Sequence, residues 1–401
     1  MTGNFYEKNY RRTGSGNMKD FIAYHFSERA FGFLSRFPAC LKKPATRLIP
    51  AVARAGLHRR RFPSSLTIFV TRRCNLHCRH CFIRKSPGNR DEQEMSNDDY
   101  GKLFRSLKGR ISSIKITGGE PTLRDDLGQI VRAASITGGV KYVTLFTNGT
   151  GRHRLRDILE GIIHSCPVKL SVQVSLDGDE RLHDEIRGRK GAFQDAVSAM
   201  KDLSGIRAKY PRRILRLSAG TCVMRENEHQ IKAIAGIVKS CGFDHVVSFP
   251  RSSRRHVFNI GDDWKSDDYP AYDEYWSMEE TAQCFNLLDQ VFWAGENVSL
   301  YKKANKIVLE TMADMIKNSQ PATPCYSGKA DLVIYPGGAV ARCEMLKGVV
   351  NLEDYHFDLE ALVRSTAYRD YLNATDGCWC LNDCAISTAM IYEPRLFEKW
   401  L

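Results

Sequence analysis

Residues 66–81 read LTIFVTRRCNLHCRHC, a short β-rich run followed at once by three cysteines. The cysteines Cys74, Cys78 and Cys81 have the spacing C-x3-C-x2-C. Three thiols are one short of a tetrahedral zinc site, and they are an odd number for a disulfide framework. A histidine of the same stretch could complete a zinc site, so that interpretation stays open. The stretch therefore predicts a strand that ends in a metal-binding loop.

The composition indicates a cytoplasmic protein with reduced thiols. The chain has 401 residues, 43% of them hydrophobic, which suits one large domain with an accessory one. We expect neither a transmembrane span nor a signal peptide, because no apolar run is long enough and the first residues lack a cleavage pattern. In the cytosol, thirteen cysteines favour metal or redox chemistry over disulfides.

The positive charge is concentrated in an N-terminal basic arm. The net charge is +13, and residues 1–73 hold fifteen Lys and Arg against three acidic residues, so the remainder is nearly neutral. Phe and other apolar residues recur along the arm at helical spacing. We interpret it as a helix packed on the protein's own core or as peripheral membrane contact through residues 1–63. Binding of nucleic acid is the least favoured interpretation.

From residue 65 the pattern alternates β-rich runs with amphipathic helical stretches. Parallel strands joined by helices are typical of such a pattern, and six units predict an α/β fold, a partial (β/α)6 TIM barrel. The predicted strands are 66–70, 113–117, 141–146, 169–176, 214–223 and 245–249, and the predicted helices between them are 97–108, 126–136, 152–164, 192–204 and 227–240.

The chain divides into four predicted regions. They are the basic arm 1–63, the partial barrel 64–250, a linker with helices 251–318, and a small cysteine-rich domain 319–401. Residues 250–275 are rich in Asp, Tyr and Arg, so we expect that loop to face the substrate.

A second loop follows the second predicted strand, where residues 117–124 read TGGEPTLR. The adjacent glycines let the backbone approach a ligand closely, and the proline restricts the turn. Because ligands bind at the carboxyl ends of strands in parallel αβ folds, this loop and the cysteine loop are expected at one rim.

The cysteine loop and the TGGEPTL loop together resemble those of radical S-adenosylmethionine (SAM) enzymes, over roughly residues 64–250. The resemblance implies that Cys74, Cys78 and Cys81 hold three irons of a [4Fe–4S] cluster, with SAM on the fourth iron. The SAM-binding residues that it implies are Gly118, Gly119, Glu120, Pro121, Asn148, Ser175 and Arg187. An electron from a donor such as flavodoxin or ferredoxin would cleave SAM to methionine and a 5′-deoxyadenosyl radical, which abstracts hydrogen from substrate carbon.

A second cysteine cluster lies near the end of the chain. Residues 331–343 read DLVIYPGGAVARC, which predicts a hairpin that brings its flanking cysteines together. The pattern C-xn-G-x4-C, in which Gly338 is the glycine and Cys343 the last cysteine, resembles the SPASM and twitch extensions of radical SAM enzymes. This resemblance implies an auxiliary [4Fe–4S] cluster, and a zinc site is the alternative. The candidate ligands are four of Cys325, Cys343, Cys378, Cys380 and Cys384. Cys284 is a candidate hydrogen-atom donor.

The resemblance indicates chemistry but not one substrate. We expect hydrogen abstraction from a small polar or membrane-linked substrate, for oxidation or epimerisation. The alternative is a peptide maturase that crosslinks, epimerises or oxidises a ribosomally made precursor peptide. Remoter alternatives are an RNA-modifying radical enzyme and a non-enzymatic zinc or redox protein.

Overall fold

The computed structural model describes residues 50–57, 62–81, 93–250, 284, 287–288, 300–318, 320–374 and 382–400. Residues 1–49 of the basic arm and residues 251–275 of the expected substrate-facing loop therefore lie outside the described residues. In the region 251–318, where helices are expected, residues 284, 287 and 288 are described ahead of residue 300, and all three are helical.

Within the part of the chain that the structure describes, nine strands form one sheet in the order β6-β5-β4-β3-β2-β1-β7-β8-β9. The strands are β1 (Ser65–Phe69), β2 (Ser113–Thr117), β3 (Tyr142–Thr147), β4 (Lys169–Ser175), β5 (Ile214–Cys222), β6 (Asp244–Ser248), β7 (Asp331–Ile334), β8 (Ala339–Ala341) and β9 (Val350–Asn351). The first six pair in parallel with their sequence neighbours. All six predicted strands are present within one residue of their predicted ends, and the predicted α/β partial barrel is confirmed.

Helices connect and cover these strands. They are α1 (Asn97–Leu107), α2 (Leu127–Ile136), α3 (Arg152–Ser165), α4 (Glu180–Arg187), α5 (Ala192–Lys209), α6 (Ile231–Ser240), α7 (Leu300–Asn318), α8 (Leu359–Arg364), α9 (Thr366–Ala374), α10 (Asp383–Tyr392) and α11 (Pro394–Trp400). The prediction missed α4 and the C-terminal helices α8–α11. Helix α4 begins where Asp179 accepts a hydrogen bond from the N–H of Leu182 (2.9 Å). No helix among the described residues is long and apolar enough to cross a membrane.

The two faces of the parallel strands differ in polarity. Alternate apolar residues such as Leu66, Ile116 and Val172 are fully buried in one core with the helices. The residues between them, such as Lys115 and Gln173, are half-buried and line cavities on the opposite face. Since strand side chains alternate between faces, this pattern places a polar binding surface on the face away from the helices.

The C-terminal hairpin continues the sheet. β7 pairs in parallel with β1, and Ser65 lies opposite Asp331. β8 then returns antiparallel to β7 through a turn in which Gly338 has φ +84°, so the predicted hairpin is present. The cysteines near this hairpin are therefore held beside the strand that leads into the first cysteine loop.

Candidate active site

The cysteine loop is docked onto the C-terminal end of α4. The backbone N–H groups of His77 and Arg79 donate to the carbonyl oxygens of Arg187 and Ile186 (both 2.9 Å). Gly188 ends the helix with φ +66°, and a Cβ there would lie 2.6 Å from the carbonyl oxygen of His77. The loop thus uses carbonyl groups that the last turn of a helix leaves without partners.

The two glycines of the TGGEPTL loop let it pair with the cysteine loop backbone to backbone. The N–H of Gly119 donates to the carbonyl of Thr71 (2.7 Å), and the N–H of Glu120 donates to that of Arg73 (2.8 Å). A Cβ on Gly118 or Gly119 would overlap the carbonyl oxygen of Thr71 or Arg73, respectively. Only glycine permits this approach, so the two loops form one unit.

Glu120 joins that unit to the end of β3. Its carboxylate is buried and accepts hydrogen bonds from the Thr147 hydroxyl (2.8 Å) and the Asn148 backbone N–H (2.7 Å). It also accepts from the N–H and hydroxyl of Thr122 (3.1 and 2.7 Å). Burial raises the pKa of Glu120, although these hydrogen bonds oppose the rise. Both oxygens are engaged within the protein, so the side chain primarily holds the loop in place.

Asn148 connects the end of β3 back to the cysteines. Its Nδ2 donates to Asn75 (3.0 Å) and lies 3.9 Å from the sulfur of Cys74. The loops after β1, β2 and β3 are therefore joined by hydrogen bonds at one rim, as the alternating pattern predicted.

A buried ion pair, which sequence reasoning missed in part, lies behind the second cysteine. Arg187 Nη1 donates to the sulfur of Cys78 (3.6 Å), and its Nη2 lies 2.6 Å from a carboxylate oxygen of Asp177. Asp177 is 0% exposed. The sequence offered one signal for Asp177, since it lies two residues after the end of β4, and polar residues near strand ends are candidates for function.

Each charge of this pair stabilises the ionised form of the other group. Burial alone would raise the pKa of Asp177, but the guanidinium of Arg187 lowers it below its usual value. Burial alone would lower the pKa of Arg187, but the Asp177 carboxylate raises it above its usual value. Both groups are therefore charged at neutral pH.

One cavity of about 280 Å³ brings most of the predicted residues together. Its lining includes Cys74, Cys78, Cys81, Gly118, Gly119, Glu120, Asn148, Ser175 and Arg187. Pro121 lies beside it as the buried first residue of a short 3-10 helix. Ser175 ends β4 and faces the same space. The structure thus assembles at one rim residues that are more than 100 positions apart in sequence.

The donor set of this cavity fits an iron–sulfur cluster with SAM. Three thiols of one loop face it, and Arg187 has a buried Nε without a hydrogen-bond partner. A cation with an available donor suits a carboxylate. Within the described residues, no three His, Cys, Asp or Glu side chains already lie close enough together to hold a metal ion.

The C-terminal cysteines are divided between two cavities. Cys343 and Cys384 line a space of about 170 Å³, which shares Phe69, Thr117 and Phe146 with the first cavity. Cys325 lines a different and larger cleft. Cys378 and Cys380 lie outside the described residues.

Cys284 is placed away from both sites. Its side chain is buried in a second apolar core with residues of α7 and α10 and does not line the first cavity. Burial raises the pKa of this thiol to about 12. This placement suits a small buried hydrophobic residue.

Asp331 lies in the smaller cavity as an unusual buried carboxyl group. Its Oδ1 is buried without a hydrogen-bond partner, and burial raises its pKa to about 6. The pKa of an unfolded Asp is about 3.9, so folding favours the protonated form. The resulting stabilisation is present below about pH 4 and is lost as the pH rises to about 6.

Asp331→Asn is therefore expected to raise the free energy of unfolding at pH 8 by about 3 kcal/mol, with no gain at pH 4. Urea denaturation at the two pH values measures this difference. Asp125→Asn, at a side chain that is 93% exposed, is the control and is expected to change little. Equal effects of Asp331→Asn at both pH values would contradict the assignment.

Residues 68–236 match the family model of the radical SAM superfamily. The chain therefore contains a radical SAM domain, as the sequence predicted. SAM and a [4Fe–4S] cluster are the cofactors that this family uses. SAM and the cluster that binds it are therefore confirmed as the cofactors predicted for this domain.

Two curated relatives are similar to this part of the chain. The sporulation killing factor maturation protein SkfB of Bacillus subtilis is 33% identical over 147 residues, covering 35% of this chain and 33% of SkfB. The mycofactocin maturase MftC of Mycolicibacterium smegmatis is 35% identical over 145 residues, covering 35% of this chain and 34% of MftC. The matched region spans about a third of the length of these relatives.

A solved structure shares the fold over a longer region. Streptococcus suis SuiB, bound to precursor peptide SuiA, superposes with a TM-score of 0.54 at 17% sequence identity. The superposition covers 79% of this chain and 68% of SuiB. This likeness extends beyond the radical SAM domain.

Proposed function

From the radical SAM domain that residues 68–236 form, we propose that this chain is a radical SAM enzyme that modifies a peptide. The observation that carries the chemistry is the single cavity where three thiols, the paired glycine loop and Arg187 meet. The names of SkfB and MftC, a maturation protein and a maturase, support the peptide alternative over the small polar substrate that the sequence favoured first.

In this proposal each part of the cavity has a separate task. Cys74, Cys78 and Cys81 hold the cluster, which when bound supplies the electron that cleaves SAM. Gly118 and Gly119 line the cavity, where they would contact the methionyl end of SAM. Ser175 lies at the same rim, beside the space that SAM would occupy.

The primary test uses the full chain, loaded anaerobically with iron and sulfide and supplied with SAM. Dithionite or flavodoxin serves as the one-electron donor. We expect an iron–sulfur absorption spectrum and the formation of 5′-deoxyadenosine. Zinc binding without either signal would support the non-enzymatic alternative.

The substrate class needs a second test. The chain is expressed together with short peptides encoded beside its gene, and each peptide is examined by mass spectrometry for hydrogen loss, a crosslink or epimerisation. Modification that requires the intact cysteine loop is expected. Turnover of a small polar compound, with every peptide left unmodified, would contradict the peptide proposal and favour a small polar substrate.

We also propose that four of Cys325, Cys343, Cys378, Cys380 and Cys384 hold an auxiliary cluster. The cavity lined by Cys343 and Cys384 adjoins the first cavity, which suits electron exchange with a substrate radical. Contact of residues 1–63 with a membrane stays a prediction.

Cys343→Ala is expected to preserve SAM cleavage while it uncouples cleavage from product. Removal of one ligand disables the auxiliary cluster but leaves the first three thiols intact. The ratio of modified product to 5′-deoxyadenosine measures the coupling, and Cys241→Ala, at a buried thiol of the main core, is the control. An unchanged ratio would show that Cys343 has no such role.

A further inference from the structure

The guanidinium of Arg187 occupies a fixed position between a cysteine and a carboxylate. Nη1 donates a hydrogen bond to the sulfur of Cys78 (3.6 Å). Nη2 and Asp177 Oδ2 form an ion pair at 2.6 Å, although their geometry does not meet the angles of a hydrogen bond. The side chains of Arg187 and Asp177 are 9% and 0% exposed, so solvent ions screen their charges weakly.

Asp177 is held by groups other than its partner. Its Oδ1 accepts a hydrogen bond from the backbone N–H of Cys222 on β5 (2.9 Å). Its own N–H donates to Nδ1 of His183 (3.0 Å), and its carbonyl accepts from Asn227 (2.9 Å). Burial lowers the pKa of His183 to about 4, so the ring is neutral and can accept. Asp177 is therefore a fixed charge that orients Arg187.

We propose that Asp177 and Arg187 set the reduction potential of the cluster held by the cysteine loop. Arg187 acts on the sulfur of Cys78, and Asp177 is a positioning residue that also offsets part of its charge. This inference rests on the proposed function, because it requires that cluster.

The direction of each effect follows from the charges. Reduction adds one electron, taken from an external one-electron donor, and transfers no atom. A nearby cation and a hydrogen bond to sulfur favour the reduced form, whereas a nearby anion disfavours it. Removal of the Asp177 charge should therefore raise the potential, and removal of the Arg187 charge should lower it.

The test measures the potential without SAM, by titration with redox dyes and electron paramagnetic resonance. Asp177→Asn keeps the size of the side chain and an oxygen for the Cys222 N–H, and it is expected to raise the potential. Arg187→Met is expected to lower it. Each shift should correspond to about a tenfold change in the electron-binding equilibrium, or about 59 mV for one electron.

Two further variants keep the test decisive. The double variant Asp177→Asn/Arg187→Met leaves no unpaired buried charge, and its potential is expected between those of the single variants. Asp195→Asn removes the carboxylate of a half-exposed pair with Arg189 and is expected to shift nothing.

The possible results separate this inference from the proposed function. Unchanged potentials in both single variants, or shifts of the same sign, would overturn the inference while the cluster still forms. Weaker SAM binding by Arg187→Met without a shift would assign Arg187 to the SAM carboxylate alone and also overturn it. Failure of the wild-type protein to form a cluster would overturn the proposed function and the inference with it.

Discussion

A Cys78→Ala variant is expected to form no detectable 5′-deoxyadenosine. Cys78 is the buried member of the three thiols and the one whose sulfur accepts a hydrogen bond from Arg187 (3.6 Å). Without it, two thiols of the loop remain, which is too few to hold a cluster with one open iron. Chromatography of anaerobic reactions with SAM measures the product, and iron analysis reports the cluster.

A core cysteine provides the matched control for this loss. Cys166 is buried against the main apolar core, and its substitution by alanine removes a thiol of similar exposure far from the loop. Cys166→Ala is expected to keep wild-type iron content and activity. If Cys78→Ala still cleaved SAM at the wild-type rate, the cluster would have to lie elsewhere.

A Gly119→Ala variant is expected to lose at least about 100-fold in SAM cleavage while it keeps its three thiols. The new Cβ would overlap the carbonyl oxygen of Arg73, with the carbonyl oxygen of Arg72 at 2.7 Å. Both obstacles are backbone atoms, so no side-chain rotation relieves them. The loops must separate, which breaks the hydrogen bond from Gly119 to Thr71 (2.7 Å) and widens the site.

The cost of this overlap should also appear in stability. Overpacking of this kind lowers the free energy of unfolding by about 1–3 kcal/mol, which urea denaturation measures. Gly161→Ala is the matched control, since a Cβ at Gly161 on α3 meets nothing within 4 Å. It is expected to leave activity unchanged and to stabilise the helix by about 0.5–1 kcal/mol. Full activity of Gly119→Ala would refute the close pairing of the two loops.

The six parallel strands and their connecting helices could be predicted from local pattern. Alternating apolar residues, as in SIKIT at 113–117, predict a strand with one buried face, because successive side chains of a strand point to opposite faces of the sheet. The helices that the prediction missed are short and lack such a signal. Helix α4 has a capping aspartate but only eight residues, too few for a clear periodic pattern.

The site was predictable where function depends on a contiguous motif. The cysteine spacing and the paired glycines identify the loops after β1 and β2, and the match over residues 68–236 agrees. Glu120 shows the limit of that reasoning. The motif marks it as a ligand-binding residue, yet its carboxylate is bound by Thr122, Thr147 and Asn148.

The sequence alone determined the parallel αβ pattern, the three-thiol loop and the paired glycines of the next loop, because each feature depends on residues that are close together in the chain. Tertiary structure decided which distant residues meet. It paired Asp177 with Arg187 behind Cys78, and it placed β7 beside β1, which lies 266 positions earlier in the chain. Such partners depend on burial and chain path, and a buried charge acquires its partner only when the fold excludes water around both.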